Sequence, residues 1–128
     1  MKIKGVHHIA ILTDRYEESK QFYTTILGFE IINETYRAER DSYKLDLAIN
    51  GTYCIELFSF PEYKERNSFP ESKGLRHLAF AVDDVKKWIE FLRIKNVDVQ
   101  DVRVDEITGR KFTFFYDPNG QPLELYEG

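Results

Sequence analysis

The chain is written twice. VHHIAIL (6–12) and LRHLAFA (75–81) share one pattern of His, apolar, Ala, apolar. CIELFSF (54–60) and PLELYEG (122–128) share a core of apolar, Glu, Leu, aromatic. His8 and His77 are 69 positions apart, and Glu56 and Glu124 are 68 apart. Two unrelated pairs with nearly one offset imply two copies of a unit about half the chain long. Each copy must then fold into the same supersecondary unit, which excludes most architectures open to 128 residues.

The order of elements is the same in both copies. In the first, residues 2–12 read as a strand and 14–27 as a helix with helically spaced Tyr16, Ser19, Phe22, Tyr23, Ile26 and Leu27. Asp14 with Glu17 three residues on has the form of a capping box, and Gly28 is placed to end the helix in a left-handed conformation. Strands are expected near 30–38, 43–50 and 53–59, with Asn50-Gly51 as a hairpin turn. In the second, 74–82 reads as a strand and 84–96 as a helix capped by Asp83 or Asp84. Strands follow near 97–104, 110–116 and 121–126. Asp117-Pro118-Asn119-Gly120 is a turn with Pro at its second position. The prediction is an α+β chain: two tandem βαβββ modules forming a curled mixed sheet in a single domain over 1–128. Module 1 covers about 1–60 and module 2 about 74–128. The charged, Pro-containing stretch 61–73 reads as a linker, with a flap beside the site as its alternative.

Composition bounds the partners. Hydrophobic residues are 42%, enough for a core, and 18 basic against 22 acidic residues give a net charge of −4. Proteins that neutralise phosphate backbones carry a basic stripe, so nucleic acid is not expected. No run approaches the ~18 apolar residues of a membrane helix, and no signal-peptide pattern is evident. The single cysteine, Cys54, fits a reducing compartment. The expected setting is cytoplasmic.

Strand alternation separates two faces. Ile9, Ile11, Ile55, Leu57, Leu78, Phe80, Leu123 and Leu125 form the face expected against the helices. His8, Glu56, His77 and Glu124 fall mid-strand on the other, with Ala10, Ala79 and Ala81 keeping that face open and Phe58, Phe60 and Tyr126 walling it. A lone Glu or His on a strand is more often solvated or structural than a ligand. Four of them in two repeat-related pairs carry the argument. Imidazole and carboxylate together suit one divalent ion such as Ni, Zn, Co, Mn or Fe, and two carboxylates match its charge. On an octahedral ion two positions stay open for water or substrate oxygens. His7 points by alternation to the opposite face, in a structural or helix-side role, and Cys54 reads as a small buried filler.

HHIAILTD, FYTTILGFE, LRHLAFAVDD and DPNGQPLELYE together resemble the vicinal oxygen chelate superfamily, which includes glyoxalase I, over nearly the whole chain. The resemblance implies paired βαβββ modules around one metal. Its His, Glu, His, Glu ligand set, similar to that of the glyoxalase I type that does not prefer zinc, falls on His8, Glu56, His77 and Glu124. Methylmalonyl-CoA epimerases place Gln where Glu56 stands, and three-ligand members lack one of the four. Glyoxalase I carries an Arg and an Asn, which help to hold glutathione, where this chain has Leu12 and Phe60. Lys73 supplies a nearby basic group.

By that resemblance the chain is expected to be a metal-dependent, lactoylglutathione lyase-like enzyme. It would act on a 2-oxoaldehyde–thiol adduct through an enediolate, with Glu124, and otherwise Glu56, moving the proton. Leu12, Phe58, Phe60, Lys73 and Tyr126 would line the substrate pocket. The family implies a homodimer, whose metal ligands come from one chain or from two. The alternatives are another metal-dependent reaction, epimerisation or dioxygenation, and binding of a small molecule without turnover.

Overall fold

A computed structural model describes residues 1–128. The chain divides into two compact units, Met1–Lys64 and Glu65–Gly128. The first contains β1 (Ile9–Thr13), α1 (Tyr16–Gln21), β2 (Glu30–Arg37), β3 (Ser42–Ile49) and β4 (Thr52–Ser59). The second contains β5 (Leu78–Val82), α2 (Val85–Ile94), β6 (Arg103–Val104), β7 (Lys111–Tyr116) and β8 (Pro122–Glu127). Each unit is a βαβββ module with a four-stranded mixed sheet, ordered β1-β4-β3-β2 in one and β5-β8-β7-β6 in the other. In each, the strand before the helix runs parallel to the last strand, and the other pairings are antiparallel. The repeat seen in the sequence is thus a repeat of topology.

The alternation of faces holds. Ile11, Leu45, Leu47, Ile55 and Leu57 are buried with Phe22 and Tyr23 in the first unit, and Phe115, Leu123 and Leu125 with Val85, Ile89 and Leu92 in the second. Burying each such side chain is worth roughly 1.5–3 kcal/mol. This leaves Ala10, Ala79 and Ala81 exposed on the opposite faces. Asn50 and Gly51 both adopt positive φ, 49° and 78°, as the two-residue hairpin turn between β3 and β4 requires. In the turn before β8, Asp117 Oδ1 accepts from the backbone N–H groups of Asn119 (2.9 Å) and Gln121 (3.0 Å). No helix is long and apolar enough to cross a membrane.

Four local expectations are corrected. The first strand starts at Ile9, not Lys2. Its ladder begins at Ile9↔Ile55, beside Cys54, which a bulge in the β3–β4 pairing leaves without a ladder partner. Asp14 does not cap α1: Arg15 holds the cap position with no side-chain cap bond. Thr13 Oγ1 instead takes the Arg15 N–H at 2.9 Å, while Asp14 accepts from the Tyr63 hydroxyl at 2.7 Å. The α-helical part of α1 is short and continues as a π-turn over Phe22–Ile26, where Leu27 N–H reaches the Phe22 carbonyl at 3.0 Å. Gly28, at φ 81°, closes it as expected, with Phe29 N–H bonded to the Tyr23 carbonyl. The strand expected over 97–104 shrinks to β6 and a single bridge, Val99 with Phe115. There the Thr113 hydroxyl donates to the Gln100 carbonyl at 2.8 Å, replacing a ladder bond with a side-chain one. In the second unit the cap is Asp84, accepting from Lys87 N–H at 3.1 Å.

Candidate metal and substrate site

Each unit brings together one histidine and one glutamate. In the first, His8 Nε2 lies 3.6 Å from Glu56 Oε1. In the second, His77 Nε2 lies 3.3 Å from Glu124 Oε1. The carboxylates stand mid-strand on β4 and β8, as expected. The histidines do not: each immediately precedes its strand. For His77 the reason lies opposite it, because the β5–β8 ladder begins at Leu78↔Leu123 and the next position faces Pro122, which has no N–H to give. Neither unit gathers three or more His, Cys, Asp or Glu side chains into a group placed to hold a metal.

His7 departs from its expected place. Strand alternation does not apply before Ile9, and the His7 ring stands beside His8, with the Nδ1 atoms 2.8 Å apart and its edge against Tyr53. Cys54 is half-buried with Sγ 3.8 Å from the Leu47 carbonyl, and burial pushes its thiol up from the ordinary value.

The two carboxylates have different surroundings. Register places Ala10, Glu56 and Asp46 in one row across the first sheet, and Ala79, Glu124 and Phe114 in the equivalent row of the second. Asp46 and Phe114 are therefore counterparts. The Tyr53 hydroxyl stands 3.0 Å from Glu56 Oε2 and 2.9 Å from Asp46 Oδ1, so its one proton is shared between two carboxylates. Lys44 Nζ lies 3.5 Å from each of them. Burial, then the hydrogen bonds to Asp46 and Glu56, hold the Tyr53 phenol far above its ordinary value, keeping it a donor. Glu124 has no comparable donor: His77 is its one ionic neighbour. The His77 ring meets Phe114 edge-on at 4.9 Å. Alternation could not single out Tyr53, because the β3–β4 bulge pairs it with Ala48 and so shifts its phase along β4.

The residues expected to line a pocket are spread over both units. Leu12 is exposed on β1 in register with Phe58. Phe58 and Phe60 stack at 5.6 Å, and the Arg37 guanidinium lies over Phe58 at 4.8 Å. Tyr126 stacks on Phe112 and donates to Asp105 Oδ2 at 2.8 Å. Lys73 is exposed in the segment before β5. The second unit also contains a cavity of about 430 Å³, bordered by Arg76, Phe114 and Pro122 beside the His77–Glu124 pair and extending to Arg66 and Arg103.

The model of the Glyoxalase/Bleomycin resistance protein/Dioxygenase superfamily matches residues 5–125. The chain belongs to this superfamily. It is 57% identical to the Escherichia coli (strain K12) protein YaeR over 98% of this chain and 97% of that one. It is 55% identical to Bacillus subtilis (strain 168) YwkD over 99% of both. A glyoxalase family protein from Enterococcus faecalis, solved as a crystal structure, shares 43% identity at a TM-score of 0.91, covering 99% of this chain and 100% of that one. More distantly, the metallothiol transferase FosB of Staphylococcus haemolyticus (strain JCSC1435) is 28% identical over 98% of this chain and 85% of its own. Members of this superfamily typically bind a divalent metal and are often enzymes acting on small molecules.

Proposed function

We propose that this superfamily member is a metal-dependent, glyoxalase I-like lyase or isomerase, and that each His–Glu pair is one half of its metal site. Two halves, from one chain or from two, supply His8, Glu56, His77 and Glu124. The observation that carries the reading is the spacing within the pairs. Donors bound at about 2.1 Å to one ion stand about 3.0–3.4 Å apart when they are neighbouring ligands. The N···O separations are 3.3 Å, within that range, and 3.6 Å, just above it. Imidazole with carboxylate also suits borderline divalent ions: Ni, Zn, Co, Mn or Fe.

When bound, the metal supplies Lewis-acid stabilisation of charge on adjacent substrate oxygens. The remaining chemistry belongs to side chains of this chain. Glu56 is held by Tyr53 and Lys44, which suits a fixed ligand. Glu124 is not tied by such donors, and its carboxylate oxygen is the atom we assign to carry a proton between neighbouring carbons of the substrate. Its aromatic neighbour Phe114 keeps water from part of its surroundings. In this reading Leu12, Phe58 and Phe60 would give the substrate an apolar wall, and Leu12 and Phe60 stand where a glutathione-binding enzyme of this type has polar groups. A thiol adduct of a 2-oxoaldehyde is the substrate class to try first, with thiols other than glutathione included.

Metal-stripped protein supplied in turn with Ni, Co, Mn and Zn should form thioester from such an adduct, followed by ultraviolet absorbance, and should bind the metal. A His77→Ala variant should lose bound metal and turnover together. Tight metal binding with no thioester from any adduct would end the lyase reading. The name and similarity of FosB favour a second one, thiol transfer to a small electrophile, which consumption of free thiol would reveal.

A further inference from the structure

The cavity in the second unit is positively charged in a protein whose net charge is −4. Three guanidinium groups line it, those of Arg66, Arg76 and Arg103, against the single carboxylate of Glu71. Glu71 is taken by Arg76, at 2.6 Å. The other two arginines make no ion pair and are fixed by neutral acceptors. Arg66 Nη2 donates to the Arg76 carbonyl at 2.6 Å and Nη1 reaches Gln121 Oε1 at 3.4 Å. Arg103 Nη2 donates to Gln100 Oε1 at 3.1 Å, and Gln100 is itself held through its Nε2 to the Tyr116 hydroxyl at 2.9 Å. The Arg103 guanidinium lies over Phe112 at 5.0 Å and Phe114 at 5.2 Å. Both arginines are exposed, yet each is held by neutral acceptors, and Arg103 also by ring faces, rather than by a carboxylate. Their remaining N–H groups therefore have no counter-charge, which suits an oxyanion.

We infer that this cavity is a subsite for an anionic head group of the substrate, a phosphoryl, phosphonyl or carboxylate group, bound by Arg103 and Arg66. The inference rests on the reading of His77 and Glu124 as the reactive end of the same site, which it deepens by naming what the substrate carries. The link is local. Arg76 Nη1 is 3.3 Å from His77 Nδ1, and Phe114 both borders the cavity and pairs in register with Glu124. A volume of about 430 Å³ admits a small acid together with the carbons that join it to the reacting oxygens. The substrate class is therefore an adduct that carries an acid group as well as its two neighbouring oxygen functions.

The test is a titration of the metal-free, full-length protein with inorganic phosphate, methylphosphonate and acetate, followed by calorimetry and by arginine side-chain NMR signals. At least one anion should bind saturably, shifting the Arg103 and Arg66 signals. Arg103→Gln and Arg66→Gln should each weaken it about tenfold, the loss expected for one charge-assisted hydrogen bond. Tighter phosphate or methylphosphonate assigns a phosphorus oxyanion, and tighter acetate a carboxylate. If Arg103→Gln does not fold, Arg66→Gln and Arg103→Lys carry the test, the lysine retaining charge but losing the paired donors. No saturable binding of any anion, or unchanged binding in folded Arg66 and Arg103 variants, would overturn the inference. Because the metal is absent throughout, failure here is separate from failure of the metal reading, which loading of the same variants with Ni or Zn tests independently.

Discussion

Glu56 and Glu124 occupy equivalent places in two copies of one unit, yet a single difference beside them, Asp46 against Phe114, gives them different chemistry. Asp46 brings a second carboxylate next to Glu56, and Tyr53 and Lys44 are arranged to hold both. Removing the Tyr53 hydroxyl leaves two half-buried carboxylates sharing only Lys44. Tyr53→Phe should therefore weaken metal binding about tenfold, the usual scale for a group that supports a ligand, while Tyr116→Phe, equally aromatic but away from Glu56, should not. Equilibrium metal competition with a chromophoric chelator measures both. The repeat exposed His8, Glu56, His77 and Glu124 because both copies keep them. Tyr53, Lys44, Asp46 and Arg103 were hidden for the complementary reason: their counterparts Gln121, Phe112, Phe114 and Thr35 are of other types, so self-comparison carries no signal for them.

At the scale of elements, hydrophobic alternation and turn chemistry foretold most of the fold, and polar competition decided where elements begin. Asn50-Gly51, Gly28 and the Asp117 turn each needed a backbone conformation that few residues supply, so local sequence sufficed. Asp14 failed as a cap because Tyr63, 49 positions away, takes its carboxylate, a contact no local pattern contains. A similar long-range tie joins α1 to β2. Glu34 accepts from the Tyr16 hydroxyl at 2.6 Å and from Lys20 at 2.9 Å, and these bonds, Tyr16 first, hold its carboxyl below the usual range. A carboxyl lowered by folding stabilises the fold above its ordinary pKa, and that stability is lost as pH falls through the folded value. Glu34→Gln should thus lower stability near neutrality by on the order of 0.5 kcal/mol, for a pair so open to solvent, and with it the melting temperature. The difference from the unaltered protein should shrink on acidification. Parallel melting curves across acid pH would show a constant offset if Glu34 contributed packing alone.

For the whole molecule, the decisive quantity is the number of metal ions per chain. Each unit by itself offers two donors, one neutral and one anionic, which leaves a 2+ ion under-coordinated and half its charge unmatched. In the proposed centre two such halves would supply four donors and two negative charges. One divalent ion should therefore bind per chain, whichever chain contributes each half. His8→Ala and His77→Ala, although 69 positions apart, should remove the same ion rather than one each. The bound ion should also raise thermal stability by about 2.7 kcal/mol at a free concentration a hundredfold above Kd, and either substitution should abolish that rise completely. Elemental analysis with melting curves reads both. Two ions per chain, with each variant retaining one, would mean that the pairs act alone; the duplicated fold would stand, and the four-ligand centre would not.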